Sequence, residues 1–560
     1  MKRLYITLFL CLNLGFSWAT ELVDMIQTYQ ADRGALGRLY TNRLSDEYFS
    51  RMESFNQEYL DALQKRDYSS LSEDGKIDYV LFRNYLEKEQ AELELDKKAF
   101  EEVKAVLAFG GPLEEFVKGR RRAVTPDAQK LAHDWNQVAI QVDAQLAKLS
   151  GLPKYNSWQK ADLAARAVES LNRVTAEAYG YYFDYHPEFT WWMPEPWKRL
   201  DASMKAYAKT LRDHYTNSVK DDGSGIIGRP IGREALEKQL AFEMIAYSPE
   251  ELIAEAEKQF AWCEKEMLKA SNELGFGNDW KGALEMVKET YLPAGEWPAE
   301  VIRLAEEATA YMEENDLITV PAMAKETWRT TMISAERQRV SPFFLGGEVI
   351  QISYPTSEMS HEDKMMSMRG NNPHFSRATV QHELIPGHHL QQFMSQRYMP
   401  HRRMFRTPFW TEGWALYWEF VLWDRDFPRD PKDKVGMLFW RMHRCARIIF
   451  SLNYHLGNMT PQQCIDLLVD KVGHEYANAE AEVRRSFEGS YGPLYQIAYM
   501  IGALEIYSLR NEMVDSGKMG EKEFHDMVMQ QNNMPIEILR AKVTGQPLGK
   551  NHKASWKFLD

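Results

Sequence analysis

Cysteine is scarce, 4 in 560 residues. Cys11 falls in the opening stretch, so Cys263, Cys445 and Cys464 remain, an odd number widely spaced. None stands in a CxxC or Cys/His arrangement, which removes the cysteine-based zinc patterns. A chain of this size needs no disulfide framework. One bridge stays open, with Cys445 and Cys464 the nearer pair. Positive charge is also short: 68 Lys and Arg stand against 81 Asp and Glu, a net charge of -13. That argues against a generic nucleic-acid binder, which carries a basic patch. The acidity is read as solubility rather than as recognition of a partner. After the first twenty residues no run of about 18 apolar residues occurs, so no membrane span is predicted. Gly (32) and Pro (23) are ordinary, with no low-complexity stretch and no internal repeat. Hydrophobic (44%) and charged (27%) fractions exclude a disordered or collagen-like chain.

Aromatic residues are plentiful: 16 Trp, 27 Tyr and 26 Phe, material for a large core or a substrate groove. The length predicts two to four domains, or one large helical body with lobes. Residues 1–19 read as a secretory signal peptide. Lys2 and Arg3 precede the apolar run from Leu4 to Phe16, and Ser17 and Ala19 suit a cut after Ala19. Cys11 follows Leu-Phe-Leu rather than the small residue that a lipidated cysteine needs. Cleavage removes two positive charges, taking -13 to -15, and leaves a periplasmic or secreted chain with no stable membrane insertion.

The remainder reads as mainly α. Apolar residues recur at three- and four-residue spacing over Val80–Leu107, Pro126–Leu149, Glu234–Leu268 and Ala299–Glu314. The densest Gly/Pro stretch, Asp221 to Gly232, is the best boundary. It divides the chain into an N-terminal helical lobe (20–225) and a second helical lobe (226–560). A second break spans Pro342 to Pro355. Within it Val349 to Tyr354 alternates, is β-branched and stops at Pro355, so it reads as a small β element next to the helix that follows. It offers an edge for an extended peptide.

Residues 380–392 carry the chemistry. Of 14 histidines in the chain, three fall within eight residues: His382, His388 and His389. With Glu383 they read as a zinc site in which Glu383 activates the attacking water. The alternative is a polar helix face. On a helix, histidines four apart share a face, about 40° round and 6 Å along. Here His388 is six residues from His382 and points about 240° away, while His389 is about 10 Å along the axis. Neither pair reaches one ion from an unbroken helix. Pro386 lacks an N–H, and Gly387 can take a positive φ. Together they predict a bulge or unwinding that absorbs two residues. His388 is favoured over His389 as second ligand, with His389 left to support a ligand or bind substrate.

Glu412 and Glu419 sit in an apolar, aromatic segment from Phe409 to Glu419, where an unpaired carboxylate is expensive. A metal would compensate Glu412. Glu419, seven residues on and on the same face, suits the N–H of a liganding histidine. His382-Glu383-Leu384-Ile385-Pro386-Gly387-His388-His389, followed by Glu412-Gly413-Trp414-Ala415-Leu416-Tyr417, resembles the HExxPGHH and EGWALY pattern of the bacterial DUF885 proteins. These are related to large helical zinc peptidases of M3/M32 type. The resemblance implies a helical, oligopeptidase-like fold with two lobes around a channel. It also implies a glutamate ligand on the helix after the histidine motif.

An oxyanion would need a further hydrogen bond. Tyr491, Tyr495 and Tyr499 are four apart, and the resemblance favours them as lining the site, with helix packing the alternative. His455 is read as substrate-binding or as a capping residue before Thr460-Pro461. Arg484 or Arg485 suits a substrate carboxylate or a surface salt bridge. His474-Glu475 has no histidine at ligand spacing. The expectation is an exported peptidase with one Zn²⁺ per chain acting on a peptide or small amide. The alternatives are a zinc hydrolase of a non-peptide amide or ester and, from another class, a silent binding protein.

Overall fold

The computed structural model describes residues 22–338, 346–489 and 491–559. The leader and the beginning of the Pro342–Pro355 break lie outside them. About 23 helices and one two-stranded parallel sheet make up the described elements. No described helix is long and apolar enough to cross a membrane.

The chain divides into two compact units, 24–67 with 83–220 and 68–82 with 221–560. In the first, Ala128–Leu149, Trp158–Tyr182 and Pro194–Arg212 pack together. Small residues on the middle helix (Ala161, Ala164, Ala165, Ala167) let its neighbours close around buried Trp135, Leu171 and Leu200. Asp127 and Ser157 cap two of these helices through side-chain oxygens.

The second unit takes residues 68–82 for an electrostatic reason. Asp78 is buried and accepts from Arg402 Nε at 2.7 Å, with His401 Nε2 at 2.9 Å. Arg402 is fully buried, so its charge depends on Asp78 and, at 3.2 Å, on Asp74 of the same strip. The run read as one helix from Glu234 to Leu268 is two, Arg233–Phe242 and Pro249–Glu273. Met244 takes a positive φ of 61°, and Ser248 with Glu251 forms a capping box ahead of Pro249. All three cysteines of the described chain are buried and free, so the Cys445–Cys464 bridge is not formed.

Strands β1 (Arg329–Met332) and β2 (Val349–Ile352) pair in parallel. Ile350 and Ile352 of β2 pack on Val380 and Leu384, which fixes the sheet beside helix α1 (Pro373–Glu383). Five more helices build the site: α2 (His388–Ser395), α3 (Pro408–Asp424), α4 (Pro431–Leu456), α5 (Tyr476–Phe487) and α6 (Tyr495–Arg510). Each of α3 and α4 begins with Pro in its first turn after a Thr407 or Asp430 cap.

Candidate metal centre

Helix α1 starts at Asn372, whose side chain accepts from His374 N and Phe375 N. It ends at Glu383, because Pro386 has no N–H to offer the His382 carbonyl. Leu384 turns out of the helix at φ -112°, ψ -104°, and the Ile385–Pro386 peptide is cis. Gly387 N then donates back to Gln381 O at 2.9 Å, and α2 starts at the next residue. The interruption is therefore a full break between two helices, not a bulge within one. Gly387 does not use a positive φ; it sits at -79°. Its need for glycine is steric, since a Cβ there would overlap the carbonyl oxygen of His382.

The break turns His388 onto His382, with ring centres 4.8 Å apart and planes at 89°. Glu412 arrives from α3. Gly413 beside it and Gly502 on α6 meet with no room for a Cβ on either, so the two backbones approach closely. Glu412 Oε2 lies 3.2 Å from His388 Nε2 and 3.8 Å from His382 Nε2. Its other oxygen accepts from Tyr495 Oη at 2.5 Å. Glu419 Oε1 lies 2.9 Å from His382 Nδ1 and so directs Nε2 of that ring toward Glu412.

His382, Glu383 and His388 form a group whose ligand atoms lie within 4.8 Å of one another and could hold a metal ion. Donors about 2.0–2.1 Å from a tetrahedral ion are about 3.3 Å apart. The Glu412 oxygen lies at that spacing from His388 and half an ångström beyond it from His382. Imidazole and carboxylate donors of this kind fit a divalent ion. Electrostatics agree. Burial works against charge on His382, yet Glu412 and Glu419 outweigh it and push its pKa up to about 9. Burial likewise opposes the Glu412 carboxylate, but His388 and His382 hold it well below the usual range.

A cavity of about 520 Å³ opens on this group. Glu383, half-buried, lines it, and Gly346 presses on Glu383 where no Cβ would fit. Tyr491, Tyr495 and Tyr499 line it as well. Tyr491 and Tyr495 stack at 4.3 Å, and the Tyr499 ring lies 6.3 Å from that of His382 and nearly parallel to it.

Other sequence candidates lie elsewhere. His389 points away, its Nε2 2.7 Å from the Ala324 carbonyl. His455 belongs to the last turn of α4 rather than to a cap, packs against Tyr454 and Phe487, and is not among the lining residues. Arg484 pairs with Glu480 and Glu488 outside the lining, whereas Arg485 lines the cavity. Sequence reasoning passed over Arg444, Arg447, His443 and Glu482, which all line it. A signal existed: three basic residues within five positions of an otherwise apolar stretch of α4. His474, which lacks ligand spacing, also lines it, its Nε2 2.9 Å from His443 Nδ1. A second group, His374, Asp430 and Asp433, is geometrically compact. Asp433 there is already matched by His374 at 2.7 Å, Arg429 at 2.8 Å and Arg377 at 3.3 Å, an ion-pair cluster with its cations in place.

The family model described as "Bacterial protein of unknown function (DUF885)" matches residues 28–543. The chain belongs to the DUF885 family. No curated protein matches it. Among solved structures, one described as a "putative lipoprotein of unknown function" from Shewanella oneidensis is 16% identical. The match covers 94% of this chain and 100% of that one, with a TM-score of 0.69. Another, described as a "putative lipoprotein" from Colwellia psychrerythraea, is also 16% identical, over 94% of this chain and 99% of its own, with a TM-score of 0.59. At such identities the likeness is one of fold, and this DUF885 chain shares it nearly end to end.

Proposed function

We propose that this DUF885 chain is an exported metal-dependent hydrolase that cleaves peptides. The observation that carries the reading is the meeting of His382, His388 and Glu412 on one point, with Glu383 beside it on the wall of a cavity. His382, His388 and Glu412 would hold the ion. Imidazole and carboxylate donors suit zinc, which supplies Lewis acidity toward water and a substrate carbonyl.

The remaining steps belong to side chains. Glu383 takes a proton from the attacking water as its oxygen bonds the carbonyl carbon, then passes it to the nitrogen as the C–N bond breaks. Tyr495 is committed to Glu412 and fixes that carboxylate. Tyr499 is left to donate to the developing oxyanion. Glu419 holds the His382 tautomer. A general base beside the ligands has no purpose in a silent binding protein. Export draws on the leader-like residues 1–19 and on the lipoprotein descriptions of both structural neighbours.

The test uses the purified chain with its metal measured by elemental analysis. Glu383→Gln is expected to keep the ion and lose peptide turnover by at least about 10³-fold. Glu412→Ala is expected to lower the metal stoichiometry. Full turnover in the first variant removes Glu383 as base, and unchanged stoichiometry in the second removes Glu412 as ligand. Cleavage of an acyl-ester panel with no cleavage of peptides would move the substrate class.

A further inference from the structure

Three arginines, Arg444, Arg447 and Arg485, line the same cavity as the histidine pair. Arg444 and Arg447, one turn apart on α4, are 6% and 3% exposed. Their counter-charge is thin. Arg447 Nε donates to Glu482 at 2.7 Å, and Arg485 pairs with that same carboxylate. Arg444 reaches Glu419 only at 3.9 Å, and Glu419 is already engaged by His382. Arg444 Nε, Arg447 Nη1 and Arg485 Nε are buried with no hydrogen-bond partner in the protein. His443 and His474 add no negative charge; burial lowers the pKa of each. Arg485 is partly exposed at the cavity wall, but the buried Arg444 and Arg447 are costly with so little counter-charge unless an anion joins them.

Position points the same way. The Arg444 and Arg447 guanidiniums each lie 4.7 Å from the Tyr499 ring, and that ring lies 6.3 Å from His382. One aromatic ring thus separates the cationic cluster from the candidate metal ligands. A peptide advances about 3.3–3.6 Å per residue. A carboxylate on the arginines therefore brings a bond one or two residues upstream to the histidine pair. Guanidinium forks match carboxylates bidentately.

We infer that Arg444, Arg447 and Arg485 form a carboxylate subsite, so that the substrates are peptides carrying a free carboxylate just C-terminal to the cleaved bond. This rests on the hydrolase reading above. The test compares acetyl-Ala-Ala, acetyl-Ala-Ala-amide and acetyl-Ala-Asp-amide on the zinc-loaded full chain. The free acid is expected to exceed the amide in kcat/KM by about 100-fold. Arg444→Met and Arg447→Met are expected to cut that ratio to within about 3-fold with zinc content unchanged, and Arg444→Lys to fall between. Arg484→Met, outside the cavity, keeps the ratio. Cleavage of the Asp amide as fast as the acid assigns the carboxylate to a side chain and supports the subsite. Equal cleavage of all three overturns it while leaving the hydrolase. If no peptide is cleaved, calorimetry of N-acetyl-alanine on Glu383→Gln decides. Binding lost in the added Arg444→Met change keeps the subsite and drops the hydrolase, and no binding overturns the subsite.

Discussion

Gly387 carries the centre on a single missing atom. A Cβ there would collide with the His382 carbonyl, a backbone atom that cannot swing aside. Gly387→Ala is expected to destabilise the fold by about 2–3 kcal/mol and to lower metal content in parallel, read by thermal denaturation and elemental analysis. Glu482 is the residue whose titration is most exposed to test. Burial raises its pKa, but Arg447 and Arg485 outweigh that and bring it down to about 2. An unfolded glutamate titrates near 4.3. The stabilisation is therefore complete above that unfolded value and is lost as pH falls from there toward 2, on the order of 3 kcal/mol in all. Glu482→Gln should be less stable at neutral pH and should flatten the stability profile across that window in denaturant titrations. The sequence made the candidate ligands plain through the clustering of scarce histidines. Of the arginines it offered Arg485 but not Arg444 or Arg447, whose clustering in an apolar stretch of α4 shows basic residues without showing which way they face.

Among the elements, the crossing of α3 and α6 matters most. Gly413 and Gly502 allow the two helices to touch, and the residue next to Gly413 is Glu412. Gly502→Ala is expected to lower Tm and to move Glu412 off the imidazoles, so metal occupancy should fall with Tm. Retained occupancy at a lowered Tm would separate the crossing from the site. Helix periodicity made several long helices legible, including Ala128–Leu149, which begins two residues from its expected start. It failed at residues 243–248, where Met244 and the Ser248–Pro249 cap break a pattern whose apolar spacing continues. Strand β2 was legible from its alternation. Its partner β1 was not, because Arg-Thr-Thr-Met is exposed along its whole length and shows no apolar alternation.

At the scale of the whole molecule, residues 68–82 are distant in sequence from the unit they join. A division of the chain at 225/226 cannot see this, since Asp78 and Arg402 are 324 positions apart. Asp78→Ala leaves Arg402 buried with weaker partners, Asp74 at 3.2 Å and Gln531 at 3.1 Å. A loss of about 3 kcal/mol is expected in urea denaturation. A fragment of residues 226–560 alone should fail to give a monodisperse, helical species by gel filtration and circular dichroism. A well-folded fragment would make the strip dispensable.

The break at Pro386-Gly387 also bears on how such centres are recognised. His382 and His388 occupy different helices, and a backbone contact from Gly387 to Gln381 sets their separation in place of the helical repeat. A search keyed to the four-residue interval passes over this arrangement. One that looks for a histidine-glutamate pair ending a helix, a proline-glycine step and a histidine opening the next would retrieve it, whatever the fold around it.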